Sequence, residues 1–318
     1  SHLQGENFLL NIDNEKEGQF LTSCAGGVMI DGIFPVKTKE VSGKTYEIVV
    51  SGCVGGHSGE SIDKGSANAV KVLGNLLSKL YCEGKPEVIS IDGGLKDNAI
   101  PRKAAAKFIF DGDVSILDES IKSSIEKYKE TDPEMCITVE CLGDSTQNAI
   151  EEADKVINYI VNVKDGVVDW SQNTKGMVET SLNLGILKTD KDKIKVCHLL
   201  RSSVGASLDK LLDEVDKLMK ENGFSTKAHS GYPAWEHKVD SKFREIIKDT
   251  CEEIGAPCKF EGIHAGLECG VFFEANPKLD IVSFGPDIFD IHTPAEKMSL
   301  SSFERSYNFV RTLVQKIR

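Results

Sequence analysis

The stretch that decides the fold is Asn7-Phe8-Leu9-Leu10-Asn11-Ile12-Asp13. A largely apolar run stopped by an acidic residue is typical of a short buried strand in a parallel sheet. An apolar strand of similar character is predicted at residues 281–284, near the other end of the chain. We therefore predict an α/β domain to which both chain ends contribute.

The long region between these ends reads as two successive series of strands and helices. The first series has a β-α-β-β-α-β order, with strands at 45–54, 87–91, 106–110 and 136–142 and helices at 65–81 and 115–128. The second series has no evident first strand and continues with a helix at 147–161, strands near 176–187 and 193–201, a helix at 208–222 and a strand near 225–230.

These patterns predict one domain interrupted by another. Residues 1–26 and 233–318 would form the α/β domain, and residues 27–232 would form an inserted α+β lid. Because the two series have a similar order, we expect the lid to consist of duplicated ferredoxin-like units.

The composition limits the partners of the chain. Its 318 residues include 38 basic and 50 acidic side chains, a net charge of −12, which repels nucleic acid and anionic membranes. No apolar run approaches the roughly 20 residues of a membrane-spanning helix, and the first residues lack the pattern of a signal peptide. Nine scattered cysteines without a CxxC pair are typical of reduced thiols. We expect a cytoplasmic protein that binds small molecules or proteins, with no nucleic acid and no membrane.

Two short segments place metal-type ligands just after apolar runs. Asp13 follows the first strand, and His292 lies in Asp290-Ile291-His292-Thr293-Pro294. Because strand ends hold side chains rigidly, these segments look like two halves of one split metal site. A catalytic zinc ion normally takes three protein ligands, so part of the site would be missing.

Three further side chains are candidates for substrate chemistry. His57 stands in the turn Val54-Gly55-Gly56-His57-Ser58-Gly59 ahead of a predicted helix, which suits stabilisation of an oxyanion. Asn98 can offer both a donor and an acceptor to a substrate, although an ordinary Asx turn is the alternative. Arg201 offers a bidentate fork for a carboxylate, with a surface salt bridge as the alternative.

The segment Gly262-Ile263-His264-Ala265-Gly266-Leu267-Glu268-Cys269-Gly270 is typical of a strand-turn-helix junction. Gly266 would allow a ligand to approach the backbone closely. His264 and Glu268 are four residues apart, which is the spacing of a ligand pair on a helix. Alternatively, both side chains orient the junction through hydrogen bonds.

Taken together, five motifs resemble those of the aminoacyl-histidine dipeptidases. In chain order they are Asn11-Ile12-Asp13, Gly55-Gly56-His57-Ser58-Gly59, Asn98-Ala99-Ile100-Pro101, His264-Ala265-Gly266-Leu267-Glu268-Cys269-Gly270, and Gly285-Pro286 followed by His292-Thr293-Pro294. Those enzymes are the bacterial carnosinase-like members of the dinuclear zinc peptidase family that also holds the aminoacylases and the bacterial glutamate carboxypeptidases.

The resemblance implies that both chain ends form part of a zinc-peptidase α/β domain and that the intact protein hydrolyses Xaa-His dipeptides. Two divalent metal ions are implied, zinc first, with cobalt or manganese as alternatives. By the resemblance, Asp13 and His292 bind metal, and His57 polarises the scissile carbonyl. The residues that would hold the substrate are Asn98, Arg201 and Gly266.

The chain departs from this family near its start. Upstream of the segment that matches Asp13, the family has a His-x-Asp metal motif, a bridging Asp and a Glu-Glu pair that includes the general base; none stands upstream of Asp13 here. We therefore expect an incomplete portion that is inactive alone.

Three alternatives stay open. One is a non-catalytic peptide-binding or dimerisation module that forms a homodimer through a sheet edge. Another is a peptidase of the same family with a different dipeptide specificity. The third concerns assembly, because a duplicated lid could imitate a dimer within one chain.

Overall fold

The structure is a computed structural model that describes residues 8–172, 174–291 and 293–317. Its strands are β1 (Phe8–Asn11), β2 (Gln19–Cys24), β3 (Gly26–Pro35), β4 (Thr38–Ser51), β5 (Gly56–His57), β6 (Glu87–Gly93), β7 (Ala99–Ile100), β8 (Ala104–Ile109), β9 (Cys136–Ile150), β10 (Gly166–Trp170), β11 (Val178–Thr189), β12 (Lys193–Ser202), β13 (Ser225–Tyr232), β14 (Lys259–Ile263), β15 (Asp280–Ser283), β16 (Ile288–Phe289) and β17 (Lys297–Met298). Its α-helices are α1 (Ala69–Glu83), α2 (Asp118–Tyr128), α3 (Ala153–Asn162), α4 (Gly205–Glu221), α5 (Lys242–Ile254), α6 (Cys269–Ala275) and α7 (Leu300–Ile317).

Both ends of the chain build one four-stranded sheet in the order β1-β15-β2-β14. β1 lies parallel to β15, and β14 lies parallel to β2. On one face, Phe20 packs with residues of α5 and α7, and on the other face Leu21 packs with Trp235 and Cys269. Alternate side chains of each strand are therefore buried on opposite faces, which explains the nearly continuous apolar runs. The predicted mixed α/β architecture is confirmed.

The region between the chain ends forms one nine-stranded sheet. Its order is β13-β3-β12-β11-β6-β8-β4-β9, with β10 paired to β11. One half consists of β4, β6, β8 and β9, and the other of β3, β11, β12 and β13. Each half has the same arrangement: its first strand lies between its fourth and its third, and its second lies outside the third.

The strand missing from the second predicted series is β3. It precedes the whole first half in the chain, and it pairs with β12 and β13 along almost its full length. The two halves meet where β11 pairs with β6, at Leu187 opposite Gly93. The sequence does not show that β3 belongs to the second series, because the first half of the sheet lies between β3 and α3 in the chain.

The helix predicted at residues 147–161 is wrong at its start. β9 continues to Ile150, and α3 begins only at Ala153. Residues 147–150 are held in the strand because they pair with residues 38–41 of β4. Sheet pairing thus overrides the local helical pattern.

The helices α1, α3 and α4 cover one face of the large sheet and share its apolar core with residues such as Leu73, Ile157 and Val215. The opposite face of the sheet, near β11 and β12, is polar and borders the small sheet. None of the helices in the described ranges combines the length and apolar character needed to cross a membrane.

Candidate active site

The candidate site lies where the polar face of the large sheet meets the turn after β14. On β11 and β12, Leu182 and Leu200 point into the helix-covered core, so their neighbours Ser181 and Arg201 point to the opposite face. Ser181 hydrogen-bonds His264 through its hydroxyl oxygen and the ring Nε2, at 2.7 Å. The large sheet and the small sheet are therefore joined through these two buried side chains.

Arg201 is almost fully buried in this junction, with 6% of its surface exposed. Its Nη1 donates to the hydroxyl of Tyr232 at 2.6 Å. Its Nε is buried and has no hydrogen-bond partner among the described residues. A buried guanidinium with an unused donor is suited to an incoming carboxylate, since buried donors are normally paired. A surface salt bridge, the alternative from sequence, does not describe Arg201.

His57 lies in the two-stranded sheet of β5 and β7, opposite Ala99. Its Nδ1 accepts hydrogen bonds from the backbone amides of Gly59 and Glu60, at 3.2 and 3.4 Å. An accepting Nδ1 carries no proton, so in the neutral ring the hydrogen is on Nε2. Burial lowers the pKa of His57, and the charge of Arg201 lowers it further, against a smaller opposite effect of Glu60. The ring is therefore a neutral Nε2–H donor near pH 7.

A close contact places the His57 ring at the same junction. A side-chain carbon added to Gly59 would lie 2.6 Å from the backbone oxygen of His264 and 3.3 Å from the ring of His57. Only a glycine allows this approach. Burial lowers the pKa of His264 to about 4, with the charge of Arg201 as a second cause. The His57 ring, the turn that contains His264, and Arg201 therefore lie close together.

Asp132 fixes the loop that presents His57, and no pattern in the sequence points to it. This buried carboxylate accepts from the backbone amides of Val54 and Ala67, at 2.7 and 2.8 Å. The two amides lie on either side of the turn, so one side chain fastens both ends of the loop. A short Thr-Asp-Pro stretch after a helix carries no spacing signal that points to this contact.

Asn98 and Gly266 also lie at this junction. The backbone oxygen of Asn98 accepts from the amide of Ser58 at 2.9 Å, which places Asn98 beside the His57 turn. A side-chain carbon on Gly266 would lie 2.6 Å from the Tyr232 ring. All four residues predicted to polarise or hold the substrate therefore lie at one junction within a single chain. They are His57, Asn98, Arg201 and Gly266.

Asp13 is exposed and lies two residues beyond the end of β1. Near it, Asn11 donates to Glu268 at 2.5 Å and accepts from Ser283 at 2.6 Å. Burial raises the pKa of Cys269 to about 12, and the charges of Glu268 and Asp13 contribute. The negative surroundings and the carboxylate of Asp13 suit a divalent cation.

The ligand set in the described residues is nevertheless incomplete. His292 lies outside the described residues. Within the described ranges, no group of three or more His, Cys, Asp and Glu side chains is placed to hold a metal ion. Asp13 and His292 would supply two ligands, and a catalytic zinc needs a third from elsewhere.

His264 and Glu268 do not act as a pair. The segment between them is not helical, because β14 ends at Ile263 and α6 begins at Cys269. His264 is hydrogen-bonded to Ser181, whereas Glu268 accepts a hydrogen bond from the side chain of Asn11. These contacts favour the second interpretation, in which both side chains orient the junction.

Comparison with known proteins agrees with this architecture. Residues 43–133 match the family model of a peptidase dimerisation domain. The cytosol non-specific dipeptidase of Escherichia coli (strain K12) is 30% identical over 97% of this chain and 66% of its own length. The crystal structure of aminoacylhistidine dipeptidase from Vibrio alginolyticus matches with a TM-score of 0.92 at 29% identity, over 98% of this chain and 66% of that one. Aminopeptidase PepT from Bacillus cereus, with a TM-score of 0.51 at 12% identity, shares the fold alone over 99% of this chain and 60% of its own.

The chain is homologous to the cytosol non-specific dipeptidase, and part of its large sheet matches a peptidase dimerisation domain. The resemblance seen in its motifs is confirmed. The chain spans 66% of the length of each of the two dipeptidases it matches.

Proposed function

We propose that the intact protein hydrolyses dipeptides in a metal-dependent reaction, and that these 318 residues supply the part that binds and polarises the substrate. The observation that carries the proposal is that His57 lies close enough to Arg201 for the positive charge of Arg201 to lower the pKa of His57. A neutral imidazole with its proton on Nε2 lies near a buried guanidinium that has an unused Nε donor. A dipeptide has a carbonyl and a carboxylate one residue apart, which matches two donors of this kind.

In this proposal, Arg201 binds the terminal carboxylate of the substrate, and Asn98 and the backbone at Gly266 hold its polar groups. The Nε2–H of His57 then donates to the oxygen of the scissile carbonyl, where negative charge develops as the carbon becomes tetrahedral. Because the ring is already neutral and fixed by Gly59, it stabilises that charge without a change of protonation.

Two divalent metal ions would supply the activated water and further polarise the carbonyl. Asp13 and His292 are the ligands that we propose from this chain. We propose that the remaining ligands and the general base lie in sequence that the longer relatives have and these residues lack. Zinc is the first choice, and cobalt or manganese also suit a carboxylate and imidazole set.

Substrate range and location are inferred from the relatives. One relative is named as an aminoacylhistidine dipeptidase and another as a non-specific dipeptidase. We favour Xaa-His dipeptides, since the motifs in this chain resemble those of the aminoacyl-histidine dipeptidases. We also infer a cytoplasmic location, because the homologous dipeptidase is named for the cytosol.

A second candidate function is that of a dimerisation module, and two observations support it. The matched family model describes a dimerisation domain, and it covers part of the first half of the large sheet. β9 spans 15 residues and pairs on one side with β4; within the described chain its outer edge has no partner strand. A second copy could add to this edge and form a homodimer.

The test of the enzymatic proposal is hydrolysis by a form extended upstream to the length of its relatives. The panel keeps β-alanine first and changes the second residue from histidine to leucine or glutamate. We expect cleavage that a chelator abolishes and zinc restores, fastest with histidine. No cleavage of any dipeptide would overturn the proposal and favour the dimerisation module, which light scattering would then detect as twice the chain mass.

A further inference from the structure

We propose that Tyr232 is a positioning residue that orients the guanidinium of Arg201 towards the substrate carboxylate. This inference rests on the proposed function, because it assumes that Arg201 binds the carboxylate. Neither the motifs nor the family resemblance pointed to Tyr232. Its role follows from the way its hydroxyl and ring are held.

The hydroxyl of Tyr232 occupies one side of the guanidinium. It accepts a hydrogen bond from Nη1 at 2.6 Å, while the buried Nε has no partner among the described residues. Nε and Nη2 form the edge that grips a carboxylate in this same chain: Arg305 donates to Glu17 from Nε at 2.6 Å and from Nη2 at 2.5 Å. With Nη1 held by Tyr232, the equivalent edge of Arg201 is the one left for a ligand.

Two glycines fix the ring that bears this hydroxyl. Tyr232 on β13 is paired with Gly27 on β3, and a side-chain carbon on Gly27 would collide with the hydroxyl oxygen. On another side, a carbon on Gly266 would lie 2.6 Å from the ring. The ring therefore fits between two backbone segments that have no room for a larger residue. The position of the hydroxyl is set by the backbone, which makes it a firm anchor for Arg201.

A neutral hydroxyl suits this role better than a carboxylate would. A carboxylate at the same place would form an ion pair with Arg201 and neutralise the charge that attracts the substrate. Burial raises the pKa of Tyr232, although the charge of Arg201 acts in the opposite direction. The hydroxyl thus holds the guanidinium while the full positive charge remains available to a ligand.

The test uses the 318-residue chain and two ligands, β-alanyl-histidine and the same dipeptide with a C-terminal amide. Binding of each is measured by calorimetry or NMR titration, and the ratio of the two affinities is the readout. We expect the unaltered chain to prefer the carboxylate form. Tyr232→Phe should lower this preference about tenfold, which is typical for loss of a hydrogen bond to a charged group. Tyr307→Phe, on an exposed face of α7, is the matched control and should leave the preference unchanged.

Gly27→Ala provides a second test with the Tyr232 hydroxyl retained. The added methyl group should displace that hydroxyl from Arg201, so the preference should fall as it does in Tyr232→Phe. Equal loss of affinity for both ligands in Tyr232→Phe, or an unchanged preference in both variants, would overturn the role of Tyr232. If the unaltered chain bound both ligands equally, or bound neither, the carboxylate role of Arg201 in the proposed function would fail first, and the role of Tyr232 with it.

Discussion

The Nδ1 of His57 accepts a hydrogen bond from the backbone amide of Gly59 at 3.2 Å, and this contact determines which ring nitrogen can donate a hydrogen bond to a substrate. Because Nδ1 is an acceptor, the proton of the neutral ring is on Nε2, the atom on the far side of the ring. A histidine held this way is a hydrogen-bond donor, which is the property that stabilisation of an oxyanion requires.

Replacement of His57 should therefore reduce catalysis more than binding. In the extended protein, His57→Ala should lower kcat by about 100- to 1,000-fold with little change in KM, as expected for a lost oxyanion donor. His57→Gln, whose amide can donate, should retain more activity. The measurement is steady-state hydrolysis of β-alanyl-histidine. A rise in KM at constant kcat would instead make His57 a ground-state binding residue.

The approach of Gly59 to His264 predicts that Gly59 tolerates no side chain. A carbon at that position would lie 2.6 Å from the His264 backbone oxygen, so Gly59→Ala should shift the turn and displace the His57 ring. We expect a loss of activity comparable to that of His57→Ala, with an unchanged circular dichroism spectrum. Gly205→Ala is the matched control, since its carbon would make only an ordinary contact with Glu236 at 3.7 Å. Full activity in Gly59→Ala would contradict the placement of the ring.

Asp132 should be needed to hold the loop that carries His57. Asp132→Asn keeps the size of the side chain but has one acceptor oxygen, so either Val54 or Ala67 loses its partner. We expect the free energy of unfolding to fall by about 1–3 kcal/mol, the cost of an unsatisfied buried group. Urea denaturation of the 318-residue chain measures this. Thr131→Val removes a hydroxyl that donates to Asp132 and to the backbone oxygen of Tyr128 but leaves both oxygens of Asp132 in place, so it should cost less; a larger loss there would contradict the assigned role.

The buried pair of His198 and Tyr159 should make stability fall in acid. The ring bonds the Tyr159 hydroxyl at 2.6 Å, and burial lowers the pKa of His198 to about 3. A free histidine titrates near 6.5, so the unfolded chain binds more protons as the pH drops from about 6.5 towards 3. Between pH 7.5 and 5.0 this residue should remove about 2 kcal/mol of stability.

His198→Gln isolates that contribution. Glutamine can still bond Tyr159 but does not titrate, so the variant should lose about 2 kcal/mol less than the unaltered chain between pH 7.5 and 5.0. The other buried groups cancel in this difference: His264, with a pKa near 4, acts in the same direction, and Asp165, whose pKa burial raises to about 6, acts in the opposite one. Identical pH profiles would show that His198 is not held neutral.

The sequence revealed those parts of the fold that depend on local patterns. Apolar runs identified β1 and β15, and helical spacing identified α1 and α2 within a few residues. β3 is absent from the prediction because its partner strands lie more than 150 residues further along the chain, and no local pattern encodes such pairing. The end of β9 has a local helical pattern, and only its pairing with β4, from much earlier in the chain, keeps it in the strand.

The candidate site was predictable as far as its motifs reached. Glycine-rich and charged segments pointed to His57, Arg201 and Gly266, which the structure brings to one junction. Tyr232 and Asp132 were missed because their importance comes from contacts across the fold. Asp13 and His292 remain predictions as metal ligands, since His292 lies outside the described residues and no group of three ligand side chains is found within them.

The most direct test of the account compares two forms of the protein in one assay. The 318-residue chain and the form extended upstream are each supplied with zinc, and hydrolysis of β-alanyl-histidine is followed by release of free histidine. We predict cleavage by the extended form and none by the 318 residues, because the general base and the remaining metal ligands would be supplied only by the extension. Equal turnover by the 318-residue chain would contradict the account, since its own side chains would then form a complete metal site.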